Sequence, residues 1–526
     1  MPADPQKSEL QEFPIAGPFG GTQSEMPSDL IEDYGFLSLT NIILRKGTAT
    51  VRPGNPPTTL MPDPQEPWLG IGNFFADPST RVQFGITPTR LLKWQSGPQN
   101  WLPITGVLTG PTDRFFGWTV VNYKLCFGQG VDKVKTWDGI AGNFIDASAG
   151  AVPARYLMEL ATHLVVADVI EGGGRHSQRV KWTIPGDTTD WTSFGSGETD
   201  ILNDLGPITG LVKLYQQGYA SHTWGFSQII PSGNALAPFD FVPLQSKARG
   251  NAFPYSLASH GGEYGLYAGE DNIYMFNGTA SDPIGDAPLA NSRSRVGARS
   301  AIFSDLITAP PLVVSGYVSD SINGRPYNAY WLVIPNAAIW MFNLEEANWT
   351  RWSYLKVVSL VGGFFKQGVP RIIDLVGRIL DQNWTPATLA PTNPFESALI
   401  GFVDGTPGVV DFTTYSEAPW TIVSGQQTFH DRRHEKTIKK FRIAVVDNGP
   451  TTFVVSVFNE KGQSQTKTVT IGTGSGLVLS EVIPFSINGI RLRWTVAGAA
   501  GQTASFSEFC PIYDTGGEQR TGLGVS

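Results

Sequence analysis

The sequence predicts an all-β protein whose main body is a β-propeller of six to eight blades. Three observations favour this fold class. Gly and Pro are abundant (59 and 38), 11% of residues are aromatic and only 16% are charged, which suits turns and pleated sheets better than exposed helices. Short strands that end in an aromatic residue recur regularly through the middle of the chain. Near the C terminus, the pattern changes to strands of alternating apolar and polar residues.

The regular spacing is carried by five aromatic anchors: Trp94, Trp137, Trp182, Phe276 and Phe342. Successive anchors are 43, 45, 94 and 66 residues apart, and 94 is twice 47. A period of about 40–50 residues with several short strands per unit is typical of propeller blades. The 66-residue step requires an insertion near residues 292–311. A series of β-sandwiches with accidental spacing is the competing interpretation.

The segments on either side of the repeat differ from it. Residues 1–60 are rich in Pro and Gly with one strand-like run at 36–44, which predicts an N-terminal extended arm or a plain linker because Pro withholds backbone donors. The propeller is assigned to residues 61–420. Alternation at 441–446, 452–458, 466–471 and 490–496 predicts a separate C-terminal β-sandwich over 421–515. Residues 516–526 are expected to be a flexible tail.

Charge and cysteine content restrict the class of protein. The formal net charge is −8, which argues against binding dominated by nucleic-acid phosphates. Residues from Gly425 onward carry a net +3, so the preceding body carries −11. Two cysteines cannot form a disulfide framework, so folding in a reducing cytoplasm is expected. Residues 1–10 do not predict a signal peptide, and the longest apolar run, 357–365, is about half a bilayer span.

The sequence predicts no catalytic site, metal or cofactor. His430 and His434 are four residues apart but lack the glutamate of a zinc-protease motif, and their segment is predicted as loop or strand. No nucleophile elbow, phosphate-binding loop or repeated sialidase-type Asp box is present. Asp187, Asp190 and Glu198, near a tryptophan-rich stretch, are candidates for a carboxylate pair. A polar exposed loop is the favoured interpretation of these three residues.

The densest charge feature is a basic cluster in the C-terminal segment, interrupted by Asp431 and Glu435. Its members are Arg432, Arg433, Lys436, Lys439, Lys440 and Arg442. A solvated strand face is one interpretation of the cluster. The other is a docking surface for an acidic partner, and the acidic body of a neighbouring subunit would meet that requirement.

Three groups of segments carry a resemblance to a known family. They are residues 48–54 (TATVRPG), then 179–191 (RVKWTIPGDTTDW) followed by 204–211 (DLGPITGL), then 330–335 (YWLVIP), 339–342 (IWMF) and 349–352 (WTRW). Together, over about residues 35–415, they resemble the tail nozzle or tail hub proteins of short-tailed bacteriophages, including the packaged-DNA stabilisation proteins. The match is a pattern of strands rather than an invariant motif.

The resemblance implies a structural protein of the virion tail that is assembled in the host cytoplasm. It implies a homo-oligomeric ring, a hexamer, with tail adaptor proteins, tail fibres or spikes and a needle or plug protein as partners. Genomic DNA would pass through the channel without sequence-specific binding, and an acidic channel wall would not retain it. The resemblance carries no catalytic residue and no integral membrane association.

Two rival functions remain open at this point. A receptor- or glycan-binding propeller protein of the phage tail would use exposed tryptophans, such as Trp191 and Trp224, to stack on sugars. A glycan-cleaving propeller enzyme is the third possibility, and the missing Asp boxes and scattered carboxylates count against it.

Overall fold

The computed structural model describes residues 10–45, 47–52, 66–95, 100–110, 116–234, 237–244, 248–260, 262–286, 297–308, 314–322, 325–335, 337–353, 357–364, 396–402, 407–409, 418–446, 451–472, 477–479, 482–502 and 504–515. The predicted tail at 516–526 and part of the insertion at 292–311 lie outside these residues. Almost every described element is a strand.

Five strands come from the N-terminal segment, and all of them pair with strands that are distant in the sequence or with one another. They are β1 (Gln11–Glu12), β2 (Ile15–Ala16), β3 (Phe36–Thr40), β4 (Ile42–Arg45) and β5 (Thr48–Val51).

Five separate four-stranded antiparallel sheets follow, each with its strands in sequence order, and they form a five-blade propeller arrangement. The first two are β6 (Gly70–Phe75), β7 (Arg81–Ile86), β8 (Leu91–Gln95) and β9 (Asn100–Ile104), then β10 (Gly117–Val121), β11 (Lys124–Gly128), β12 (Lys135–Trp137) and β13 (Ile145–Asp146). The third is β14 (Ala154–Leu160), β15 (His163–Glu171), β16 (Gly174–Trp182) and β17 (Gly197–Asp200). The last two are β18 (Ile208–Leu214), β19 (Gln217–His222), β20 (Phe226–Asn234) and β21 (Ala237–Pro243), then β22 (Ala258–His260), β23 (Tyr264–Ala268), β24 (Ile273–Phe276) and β25 (Ser281–Pro283).

One helix and seven strands follow the fifth blade. They are α1 (Arg299–Thr308), β26 (Val314–Ile322), β27 (Arg325–Ile334), β28 (Ala338–Asn343), β29 (Asn348–Trp352), β30 (Val357–Phe364), β31 (Glu396–Phe402) and β32 (Pro407–Val409). Strands β30–β32 form a three-stranded sheet, and β30 lies against β26 and β6. The helix α1 falls inside the insertion predicted from the long anchor spacing.

The aromatic anchors occupy equivalent positions. Each lies on the third strand of its four-stranded unit, at β8, β12, β16, β24 and β28, and the double step of 94 residues spans the unit β18–β21. Trp137 shows why such a residue suits the position: it is buried, and its indole N–H donates to the carbonyl of Ala141 at 2.8 Å. A large apolar ring with one satisfied polar atom fills the space between sheets without leaving an unpaired donor.

The expected six to eight blades are corrected to five. The next four-stranded unit, β26–β29, is not a separate sheet, because β29 pairs in parallel with β3 of the N-terminal segment. The sheet therefore continues past the edge at which a blade would end, and it reaches nine strands.

The C-terminal segment supplies eight strands: β33 (Trp420–Ser424), β34 (Lys436–Val446), β35 (Thr451–Asn459), β36 (Ser464–Ile471), β37 (Leu477–Leu479), β38 (Ile483–Gly489), β39 (Leu492–Gly498) and β40 (Ser505–Thr515). The nine-stranded sheet has the order β26-β27-β28-β29-β3-β33-β39-β35-β36. An eight-stranded sheet has the order β37-β34-β40-β5-β4, with β1 and β2 paired to β40 and β38 paired to β34. The alternating strands predicted here are present.

These two sheets share one hydrophobic core. Trp494 of the larger sheet packs on Phe509 and Phe441 of the smaller one, at ring-centroid distances of 4.8 and 5.5 Å. Phe36, from the N-terminal segment, is fully buried in the same core. The predicted separate C-terminal β-sandwich is therefore not confirmed, because both sheets need N-terminal strands. The predicted extended arm is likewise built, over residues 11–51, into these sheets.

The N-terminal segment is fastened by the side chain of Asn41, between β3 and β4. Its Nδ2 donates to the carbonyl of Pro419 (2.7 Å) and to Oγ of Ser353 (3.2 Å). Its Oδ1 accepts from the backbone N–H of Ser353 (2.9 Å) and from Nε of Arg52 (3.0 Å). Asn41 is fully buried with φ 58°, a conformation that Asn adopts more readily than most residues.

The backbone of Asn41 is bonded as completely as its side chain. Its N–H donates to the carbonyl of Arg351 (2.8 Å), and its carbonyl accepts from the N–H of Arg52 (2.9 Å). The guanidinium of Arg52 is buried and lies 5.5 Å from the ring centroid of Trp352, within the range of a cation–π interaction. The Asn41 node thus joins β4, β5, β29 and the start of β33.

The substitution Asn41→Ala should lower the free energy of unfolding by roughly 3 kcal/mol or more, because it removes the oxygen that accepts from two buried donors, Arg52 Nε and the Ser353 N–H. Urea denaturation measures this change. Asn122→Ala is the matched control: Asn122 also has positive φ (48°) but is exposed and makes one side-chain hydrogen bond. Equal losses in the two variants would contradict the importance of the node.

Candidate interaction surface

The basic cluster lies on β34 and on the loop before it, and strand geometry divides its members. Ile438 and Phe441 both point into the core, because a β-bulge shifts the register between Ile438 and Lys440. Lys440 is exposed and Lys439 is half-buried. These two lysines therefore remain available on the surface.

Arg442 is half-buried and is paired with two acidic neighbours. Its guanidinium binds the carboxylates of Glu12 and Glu508, each at 3.1 Å. Glu12 belongs to β1 and Glu508 to β40, so this arginine ties two strands to β34. Its charge is already neutralised within the chain, which makes it a poor docking residue.

Lys436 is fully buried, contrary to the expectation of a surface cation. Its ammonium donates to the backbone carbonyls of Asp431 and His434. Burial lowers the pKa of Lys436, because the charged form loses water. Lys436 therefore shapes the preceding turn instead of meeting a partner.

That turn presents Arg432 and Arg433 to solvent. Asp431 Oδ1 accepts from the backbone N–H groups of Arg433 (2.9 Å) and His434 (3.2 Å), and Oδ2 contacts His434 Nδ1 at 2.6 Å. The bond from the Arg433 N–H is the largest cause that lowers the pKa of Asp431 to about 2. Both arginines are exposed, and no carboxylate among the described residues pairs with them.

The two arginines stand at one lip of a cleft of about 770 Å³ between residues 29–34 and 426–433. The opposite lip is acidic. Asp29 binds Arg491 at 3.0 Å, and Asp33 faces His430 at 3.6 Å. Burial raises the pKa of Asp33, and His430 opposes that effect. The surface is therefore of mixed sign rather than uniformly basic.

The carboxylates considered for acid–base chemistry each serve a turn or an ion pair. Asp187 accepts from the N–H and hydroxyl of Thr189, both at 2.7 Å, and the hydroxyl bond is the main cause that lowers its pKa. The pKa of Asp190 is lowered by hydrogen bonding to Ser193 and Thr192. Glu198 binds Lys181 at 2.7 Å. With lowered pKa values, neither aspartate suits the role of a proton donor at neutral pH.

The histidines and tryptophans singled out in the sequence do not come together in one site either. His430 and His434 face different aspartates, and no group of three potential metal ligands occurs among the described residues. Trp191 is buried and unavailable for stacking on a ligand, whereas Trp224 is 62% exposed. No helix in the described ranges is long and apolar enough to span a membrane.

Sequence reasoning missed a second depression, lined by Phe75 of the first blade, Trp118 and Tyr123 of the second, and Glu159 and Thr162 of the third. The only sequence signal for it is the Asn-Tyr pair at 122–123. Asn favours the tight two-residue turn that joins β10 to β11.

The comparisons with known proteins leave the family open. No protein-family model matches the chain, and no curated protein is similar to it. Among solved structures, the Neurospora crassa Pan2 WD40 domain is 11% identical, covers 68% of this chain and 94% of its own, and has a TM-score of 0.38. The computationally designed Ika8 protein is 10% identical, covers 71% of this chain and 96% of its own, and has a TM-score of 0.36. The exo-β-1,3-galactanase of Phanerochaete chrysosporium is 13% identical, covers 88% of this chain and 100% of its own, and has a TM-score of 0.25. Identities of 10–13% and TM-scores of 0.25–0.38 do not assign this chain to a family.

The substitution Lys436→Met should loosen the turn at 431–434, because two backbone carbonyls lose a charged donor. We expect local stability to fall by about 1–3 kcal/mol and trypsin to cleave after Arg432 and Arg433 faster, by about ten-fold if cleavage follows local opening. Mass spectrometry of timed digests measures the cleavage. Lys440→Met removes the same charge from an exposed position and should leave the rate unchanged; similar rates in both variants would refute the bracing role of Lys436.

Proposed function

We propose that this chain is a structural protein of the tail of a short-tailed bacteriophage, a nozzle or hub subunit. The observation that carries the proposal is the meeting, at the Asn41 node, of two segments that bear the family resemblance. Arg52 follows the TATV strand and packs on Trp352 of the WTRW strand. The node joins β4 and β5 of the eight-stranded sheet to β29 and β33 of the nine-stranded sheet. The nine-stranded sheet meets the propeller through the hydrophobic core that β27–β29 share with the fifth blade. A body of this kind suits a subunit that keeps its shape while DNA passes.

The proposed assembly is a ring of about six copies, since closed cyclic symmetry leaves no interface open to further growth. Arg432 and Arg433 at one lip of the cleft, with the acidic lip opposite, offer surfaces of both signs for contacts between neighbours. Exposed ion pairs contribute about 0–1 kcal/mol each, so these charges steer docking more than they hold it. The adaptor, fibre or spike and plug proteins are the remaining proposed partners.

The proposal assigns no catalysis and no cofactor to this chain. Its location would be the virion tail, after assembly in the host cytoplasm. The rival tail protein that binds a receptor through Trp191 and Trp224 loses support, because Trp191 packs in the core between sheets.

The double substitution Arg432→Ser/Arg433→Ser should slow ring formation by about ten-fold at low salt, because steering by complementary charge is lost. Light scattering gives the rate, and negative-stain images give the ring. Lys124→Ser/Lys467→Ser removes two exposed positive charges outside the basic cluster and should slow assembly much less.

The outcome that overturns the proposed function is independent of these variants. It is a wild-type chain that stays monomeric in the presence of tail-assembly intermediates and is absent from purified particles of the virus that encodes it.

A further inference from the structure

A depression of about 740 Å³ lies where the first hairpins of the first three blades come together. Four aromatic residues line it, and Phe74 is buried. The other three are Phe75 at the end of β6, Trp118 on β10 and Tyr123 in the β10–β11 turn. Phe75 and Tyr123 are 51% and 47% exposed. The half-buried Trp118 ring packs nearly perpendicular to the ring of Phe84, with 5.2 Å between centroids. Exposed aromatic rings that line one depression indicate a binding site more than a role in packing alone.

The rim of the depression is polar and held in place by hydrogen bonds. Asn122 Nδ2 donates to the carbonyl of Gly186 (3.2 Å), and the Gly186 N–H donates to the carbonyl of Thr162 (2.9 Å). Glu159 accepts from the Thr162 N–H (2.8 Å) and from the ammonium of Lys213 (2.6 Å). These bonds fix three loops relative to one another before any ligand arrives, which reduces the entropy lost on binding.

Hydrogen-bonding capacity remains for a ligand. Among the described residues, neither the indole N–H of Trp118 nor the hydroxyl of Tyr123 has a hydrogen-bond partner. The carboxylate of Glu159 and the carboxamide oxygen of Asn122 can each accept a further bond. Aromatic faces are therefore combined with donors and acceptors within one depression.

Tyr123 occupies its place at a conformational cost. Asn122 and Tyr123 have φ values of 48° and 62° in a two-residue turn between paired Val121 and Lys124. Such turns favour Asn followed by Gly, and a bulky residue with positive φ is an outlier. Folding alone would favour glycine at position 123, so the ring is retained against the local preference, and such outliers cluster at functional sites.

We propose that this depression binds a saccharide. The apolar C–H face of a pyranose ring would stack on Tyr123 and Phe75, and its hydroxyls would bond to Trp118, Asn122 and Glu159. A purely apolar ligand would leave the polar rim unpaired, at a cost. A phosphate-bearing ligand is disfavoured, because no Lys or Arg is among the described residues that line the depression, and the nearby Lys213 is already paired with Glu159. This site is independent of the proposed function.

The test uses the whole chain and defined sugars. The protein is screened on an array of hexose and N-acetylhexosamine oligosaccharides, and retained ones are titrated by calorimetry. Tyr123→Gly should weaken binding about ten-fold or more by removing a stacking ring. Its melting temperature should not fall, because glycine adopts positive φ without strain. Phe75→Ala should weaken binding as well.

Tyr215→Gly is the matched control. Tyr215 is an exposed tyrosine with φ 48° in the corresponding β18–β19 turn, and it does not line the depression. This variant should keep wild-type affinity. The proposal is overturned if no oligosaccharide binds at about 10 mM, or if Tyr123→Gly and Tyr215→Gly weaken binding equally.

Discussion

The fold depends on the hydrogen bonds of one buried amide, Asn41. Its side chain bonds to Ser353 and Pro419, which are 312 and 378 residues away in sequence, so three distant parts of the chain must be in place at once. Arg52 can be buried beside it because Asn41 accepts from its Nε and Trp352 offers its ring. Bringing such remote segments together costs chain entropy, and the fully bonded amide together with the shared core of the two sheets offsets that cost. The N-terminal strands, β29 and β33 are therefore coupled parts of the two sheets, and the fifth blade is coupled to them through the core that it shares with β27–β29.

This coupling explains which parts of the fold could be predicted from the sequence. The anchors Trp137 and Trp182 reported the blade period because each blade is built from neighbouring strands, whose spacing is a local property. Strands β1 and β2, of two residues each, exist through pairing with β40. Alternation cannot be recognised over two residues. The parallel pairing of β29 with β3 leaves no local signal either, so the blade count could not be predicted from the sequence.

The residues of the candidate interaction surface could likewise be predicted only in part from the sequence. A cluster of charges in sequence does not tell a buried cation from an exposed one. Lys436 binds two carbonyls inside the protein, and Arg442 is paired with Glu12 and Glu508. Alternation along β34 would assign faces by counting in twos, but the bulge between Ile438 and Lys440 changes the face of every later residue. Of the six residues in the cluster, Arg432, Arg433 and Lys440 are exposed and Lys439 is half-buried.

The hairpin tips obey a different rule from the blade cores. Three consecutive blades begin with two-residue turns in which both residues have positive φ without glycine, at 122–123, 161–162 and 215–216. Two of these turns expose a tyrosine, Tyr123 and Tyr215. Local preference and global fold agree in the cores, where rings are buried, and disagree at this edge, where rings stay in water at a conformational cost. In a foldable sequence, local conformational preferences agree with the fold except where another requirement intervenes. At this edge, contact with a ligand or partner therefore accounts for the turn residues better than folding does.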